Sequence, residues 1–539
     1  MRDAVVIGSG PNGLVAANVL ADAGWDVEVL EAEGVPGGAV RTSELTEPGF
    51  RHDEFSAFYP VAAASPAIRA LELDQYGFRW AHGPLALAHP ERDGSCAVLS
   101  RSLEETAASL DAFAPGDGEA WISLYGLWER VGEALLDAMV TPFPPVRAGA
   151  RLAARVGPGE LARFLRTMLL PIRRFGEEHF RGEGGPRLLA GNALHTDLTA
   201  DVAIGGFYGW FLCCLGQDVG FPCPEGGAGE LTRALVARLE SRGGHVRCDT
   251  AVERIAVRGG KAAGVLLPDG EEVIARHAVL ADVSAPALYL RLLAREHVPR
   301  RTLDDVRRFH WDNATVKVDW ALDGPIPWAA PDARRAGVVH VVEGLDELAI
   351  QATDLARRWI PARPFLVLGQ YGRVDPSRAP SGKETAWAYT HVPQDVRGDA
   401  GGELTGRWDE AETETFVARM EDQIEALAPG FGALVRSRHV HTPRTLEAAN
   451  RNLVGGAVGG GTAQLHQQLV FRPVPGFARP ETPVPGLYLA SASAHPGGGV
   501  HGAPGAIAAR ALLNARRARR ASYAVAGAAG AAALLRRVR

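Results

Sequence analysis

The chain has 539 residues, with 57 basic and 63 acidic side chains and a formal net charge of −6. That length exceeds a single hydrophobic core, so two domains are expected, and the slightly acidic balance argues against a nucleic-acid partner. The five cysteines, Cys96, Cys213, Cys214, Cys223 and Cys248, form no CxxC pair and show no metal-ligand spacing, which argues against a redox dithiol or a metal centre.

The first predicted element is a strand, Ala4-Val5-Val6-Ile7, followed by the turn Gly8-Ser9-Gly10-Pro11-Asn12-Gly13 and an apolar helix ending near Ala23-Gly24. In this GxGxxG arrangement Gly8 permits the turn, Gly10 lets backbone N–H groups approach a pyrophosphate, and Gly13 packs helix on strand. The helix start, with Pro11 and Asn12 in its first turn, presents unpaired donors and a positive dipole end to phosphate. A second strand, residues 27–30, delivers Glu31, with Ala32 behind it, where a carboxylate accepts hydrogen bonds from ribose hydroxyls and disfavours a 2′-phosphate. Gly37-Gly38 and Arg41-Thr42 follow, and His52-Asp53 are expected to line a cavity.

From Pro144 to Phe180, arginines 147, 151, 155, 163, 166, 173 and 174 are interleaved with leucines and aromatics. This pattern predicts a helical cap whose outer face is either solvated or laid on a membrane surface. Pro222 to Leu231 opens an amphipathic helix, and strand-rich sequence with Val252 comes next. Residues 315–322 alternate as a strand that places Thr315, Lys317 and Asp319 on one face, where a salt bridge or an exposed face would equally explain Lys317. Residues 408–427 carry Phe416, Met420, Ile424 and Leu427 at helical spacing.

The run Gly455 to Gly461 follows no strand and opens no helix, so it reads as a loop at a substrate cavity rather than a second dinucleotide site. Residues 485–490 predict a strand, leading into the glycine-rich Ser491-Ala492-Ser493-Ala494-His495-Pro496-Gly497-Gly498-Gly499-Val500-His501-Gly502 and then a helix over 503–514. The alanine-rich stretch 521–535, bracketed by arginines, reads as a frayed terminal segment or a basic interfacial anchor, being too short to span a bilayer. The first strand begins at once, leaving no room for a cleavable signal, so a cytoplasmic protein is expected, with peripheral membrane contact left open. Only three lysines stand against an abundance of arginine, as in a GC-rich bacterial genome.

Gly37, Gly38, Arg41 and Thr42, at their distance from Glu31, resemble the second glycine signature of the two-dinucleotide-binding-domain flavoproteins, which implies FAD. The C-terminal HPGGG run and the Pro222 to Leu231 segment are similar to the phytoene desaturase family, and the resemblance spans about residues 3 to 514. It implies an α/β fold in which a Rossmann-type FAD-binding domain (1–60, 216–295 and 480–515) joins a discontinuous α+β substrate domain, a sheet plus helical cap (61–215 and 296–479), before a basic tail (516–539).

It also implies that Val252 lies beside the adenine and that the loop holding Ser491, Gly498, Gly499 and Val500 runs along the flavin. Ser491 stands where the family usually has glycine. His495 and His501 flank this loop and are candidate acid/base groups. Lys317 is a third catalytic candidate, because flavin amine oxidases use a substrate-domain lysine near N5.

The activity implied is hydride removal from a lipophilic, isoprenoid or polyene-like substrate, as in carotenoid desaturation, with oxygen or a quinone as acceptor. Oxidation of another small metabolite such as an amine remains open, as does flavin-dependent isomerisation. A prenyl-protein-binding module of the GDP-dissociation-inhibitor type is disfavoured by the complete pyrophosphate and flavin signatures.

Overall fold

The computed structural model describes residues 1–518, so the predicted segment 521–535 lies outside the described residues. Two seven-stranded sheets organise the chain. In the first, β1 (Arg2–Ile7) runs parallel to β2 (Val27–Leu30) on one side and to the strand Glu272–Ala281 on the other. Strands His245–Arg247, Lys261–Leu266 and Arg254–Arg258 extend it, and Leu487–Leu489 pairs in parallel with Glu272–Ala281. Ala4, Val5 and Val6 are fully buried because both faces of a parallel sheet are covered, which is why the strand reads as an unbroken apolar run.

Helix α1 (Pro11–Asp22) leaves the turn with Pro11 in its first turn, and its N-cap, Gly10, offers no side chain to the free N–H groups. The C-terminal glycine loop feeds a second helix, residues 503–518, onto the same sheet. A Cβ at Gly505 would stand 1.9 Å from the Asn12 carbonyl oxygen, so the two helices meet backbone to backbone.

The second sheet runs Val435–His441, Ala314–Leu322, Glu384–Val392, Leu366–Gln370, Ala336–Val341, Leu85–Pro90 and Cys96–Leu99. Helix Glu410–Leu427, capped by Asp409 on the Glu412 N–H, packs Phe416, Met420 and Ile424 against Val316, Val318 and Trp320. Seven helices between residues 103 and 219 fold over the other side, with Trp128, Trp210, Phe175 and Leu189 in their shared core. The arginine-rich segment forms three of these helices, Val146–Val156, Leu161–Leu169 and Ile172–His179. Val146, Leu165 and Leu169 are exposed on them.

Candidate functional site

A cavity of about 720 Å³ runs from the glycine turn after β1 to the space between the second sheet and the helices above it. At one end Gly8, Gly10, Pro11, Asn12, Glu31, Ala32, Gly38, Arg41 and Val252 line it, and in its middle Ser491, Gly498, Gly499, Val500 and His501 do so. The N- and C-terminal signatures, almost five hundred residues apart in sequence, therefore share one wall.

Glu31 is fixed before any ligand arrives. Its Oε2 accepts from the Ser9 N–H at 2.9 Å and from the Ser9 hydroxyl at 2.5 Å, and its Oε1 accepts from the Glu33 N–H at 3.0 Å. The x position of the signature, Ser9, is thus a positioning residue that the motif alone does not reveal. Glu31→Ala is expected to weaken FAD binding by about 1.5–3 kcal/mol, the usual worth of hydrogen bonds to a charged group. Flavin-fluorescence titration checks this, and an unchanged affinity would assign the ribose contact to another residue.

Three predicted cofactor residues do not line the cavity and act one layer behind it. Gly13 packs helix on turn, since a Cβ there would stand 2.2 Å from the Gly8 carbonyl oxygen. The Gly37 N–H donates to the Ser9 hydroxyl at 3.1 Å, and the Thr42 hydroxyl donates to Asp53 at 2.7 Å. His52 and Asp53 are fully buried and away from the cavity, correcting the expectation that they line it. Asp53 instead accepts from Thr42, the Ala228 N–H and the Tyr371 hydroxyl, and pairs with Arg378 at 2.7 Å.

The catalytic candidates divide. His495 does not line the cavity, and its ring lies edge-on to Phe143, 6.1 Å between centroids. Proximity to a glycine loop in sequence does not fix which way a side chain points. His501 does line the cavity, but Nδ1 accepts the Ala503 N–H at 3.1 Å and Nε2 faces the Gly498 carbonyl at 3.2 Å. Both ring nitrogens are thus committed to shaping the loop, and burial lowers its pKa to about 4. Lys317 also lines the cavity, on the same strand face as Thr315, and its ammonium is bound to Asp319. Burial raises the Asp319 pKa, but the Lys317 charge and His52 outweigh it, so the carboxyl ends below its usual range. The face predicted as salt-bridged or exposed is salt-bridged and buried.

The structure adds residues that the sequence reading missed. Trp387, Tyr389 and His391 alternate along the strand Glu384–Val392 and all face the cavity, a period-two signal visible in the sequence. His195 lines the cavity from just beyond the helix Gly184–Ala193, and its Nε2 is 2.9 Å from Nε2 of the buried His340. Room for the His340 ring is made by Gly191, where a Cβ would stand 2.0 Å from Nδ1. Burial holds the His195 pKa at about 4 and that of His340 well below the usual value, so both are neutral at pH 7.

The cavity fits FAD on its own evidence: a long concave volume, a helix start whose N-cap glycine carries no side chain at one end, a carboxylate held in place by Ser9, and glycine backbone along the middle. Fold and site define a dinucleotide-dependent oxidoreductase. The profile of the flavin containing amine oxidoreductases matches residues 12–513, and the chain belongs to that family. It is an enzyme whose cofactor is FAD.

It is 30% identical to mouse pyridine nucleotide-disulfide oxidoreductase domain-containing protein 2, over 95% of this chain and 93% of that protein. It is 27% identical to the neurosporene-forming phytoene desaturase of Cereibacter sphaeroides, over 95% and 94%. Among solved structures, cyclohexylamine oxidase from Brevibacterium oxydans superposes with a TM-score of 0.58 at 16% identity, over 96% of this chain and 99% of that one. No helix among the described residues is long and apolar enough to cross a membrane.

Proposed function

We propose that this enzyme desaturates a lipophilic, isoprenoid or polyene-like substrate. The observation that carries the reading is the wall of the cavity beyond the glycine loop, where Phe58, Phe211, Leu212, Phe221, Val338 and Trp387 face the space. The two carboxylates on this wall are turned to the protein's own donors. Asp312 accepts from the Val458, Gly459 and Gly461 N–H groups, and Asp197 from the Ala463 N–H and the Thr462 hydroxyl. Oxygen or a quinone would serve as electron acceptor.

When bound, FAD supplies a hydride acceptor at N5. The apolar walls hold an extended hydrocarbon and exclude water. His195 is the side chain placed to take the proton lost from the neighbouring carbon. It is a free base at neutral pH, and a weak base suffices for a carbon that has become strongly acidic beside a developing cation. His340 fixes its ring. Exposed Val146, Leu165 and Leu169 on arginine-bearing helices support delivery of such a substrate from a lipid surface.

The test is anaerobic flavin bleaching by phytoene carried in anionic phospholipid vesicles or dispersed in detergent, with cyclohexylamine in parallel. Bleaching by phytoene with new conjugation in the product is expected. Bleaching by the amine alone would replace the reading, and equal rates from detergent and vesicles would remove the membrane part. His195→Ala is expected to keep its flavin and slow bleaching by about 10²–10⁴-fold, the usual worth of a positioned base. Wild-type reduction kinetics in that variant would take His195 out of the mechanism.

A further inference from the structure

The pyrophosphate end of the cavity holds a carboxylate. Asp282 follows the last residue of the strand Glu272–Ala281 and is 7% exposed. Its backbone is pinned, its N–H donating to the Ile7 carbonyl at 2.8 Å and its carbonyl accepting from Asn452 Nδ2 at 3.2 Å. Its Oδ2 accepts the Gly13 N–H at 2.8 Å, and the Asn12 side chain bonds to it as well. Added Cβ atoms at Gly8, Gly10 and Gly13 would stand 2.8, 2.7 and 3.2 Å from atoms of Asp282. The three signature glycines are therefore shaped around this residue as closely as around any ligand. An acid already sits on the helix start that a pyrophosphate must approach.

Two ionised phosphates cannot settle beside an ionised, buried carboxylate without strong repulsion. We propose that Asp282 takes up one proton when FAD binds and donates that proton as a hydrogen bond to a pyrophosphate oxygen. The proton comes from solvent, forms the O–H bond of the carboxylic acid, and returns to solvent when FAD leaves. No other bond changes.

The charged groups around it are consistent with this. Glu31, at the end of β2, is the nearby acid and adds to the repulsion. The cations lining the same cavity are Arg41, Arg291, Lys317, Arg451 and Arg472, and none makes an ion pair with Asp282 among the described residues, Arg41 being held by Glu54 and Lys317 by Asp319. Burial first, and Glu31 second, push the Asp282 pKa up to about 7, so the proton is gained near physiological pH without a large penalty. The inference rests on FAD binding alone and is independent of which substrate is oxidised.

The holoenzyme is equilibrated between pH 6.5 and 9, free FAD is read by fluorescence, and FAD binding at pH 8 is followed calorimetrically in two buffers of different ionisation enthalpy. One proton taken up per FAD is expected, with affinity falling about tenfold per pH unit above the free pKa of Asp282. Asp282→Asn, whose amide N–H can donate without titrating, should bind FAD with no pH slope over this range. A flat wild-type profile with no proton uptake overturns the proposal. So does an unchanged slope in Asp282→Asn, which would move the proton to Glu31. Should the variant fail to fold, the same calorimetry on Glu31→Gln decides: one proton still taken up per FAD keeps the assignment to Asp282, and none taken up overturns it.

Discussion

Gly10→Val is expected to fold and to purify without flavin colour. Gly10 has φ −60°, a value any residue adopts, so valine brings no backbone strain. Its side chain would instead enter the narrow gap between turn and ligand, with Cβ 2.7 Å from Asp282 Oδ2. The opposing glycine strip is equally close, since a Cβ at Gly38 would stand 3.0 Å from Gly10 Cα. Three added carbons would fill the space through which backbone donors reach a pyrophosphate. Gly13→Ala should behave differently: its Cβ would stand 2.2 Å from a backbone oxygen, which cannot swing aside, so the turn itself should fail. The flavin-to-protein absorbance ratio, set beside circular dichroism, separates the two outcomes. A full flavin complement in Gly10→Val would overturn this account of the cofactor end.

Asp53→Ala is expected to be the most destabilising single change outside the hydrophobic core. Asp53 and Arg378 are both 0% exposed, so bulk solvent does not reach the guanidinium. Breaking a buried pair in this way typically costs about 3–5 kcal/mol, because the guanidinium would keep only the more distant Asp375, at 4.0 Å. The loss would be compounded here, as Asp53 also accepts from Thr42, Ala228 and Tyr371. These partners come from the FAD signature segment, the helix start at residue 229 and the second sheet's margin, so one carboxylate ties three regions together. Thermal unfolding of Asp53→Ala and of Asp53→Ala/Arg378→Met tests the argument. The double variant should recover part of the loss, and if it melts no higher than the single variant, the charge is not the cause.

The cofactor end was legible because its chemistry demands particular residue types at fixed spacing. Glycines at 8, 10 and 13, an acid at 31 and a glycine loop ahead of a helix cannot be exchanged freely, and they come together around one cavity, with Gly13 packed behind its wall. The His195–His340 pair was not legible, because it is assembled from distant segments. His195 and His340 are 145 positions apart, and nothing local to either announces the other. His495, off the cavity wall and edge-on to Phe143, and His52-Asp53, fully buried behind it, lie near the signatures along the chain, and that nearness does not place their side chains in the cavity. Trp387, Tyr389 and His391 lie between these cases, since their alternation was on view but which face met the cavity depended on the sheets' arrangement.

The cofactor cavity joins Gly8 to Val500 in one wall, and β1 lies between strands drawn from residues 27–30 and 272–281. A ribosome releases these segments in order, so β1 must wait for the strand at residues 272–281, and the glycine loop at 491–502 emerges later still. Such long-range pairing slows folding and leaves an unpaired apolar edge exposed meanwhile. Cofactor capture therefore waits for the glycine loop, long after β1 has left the ribosome.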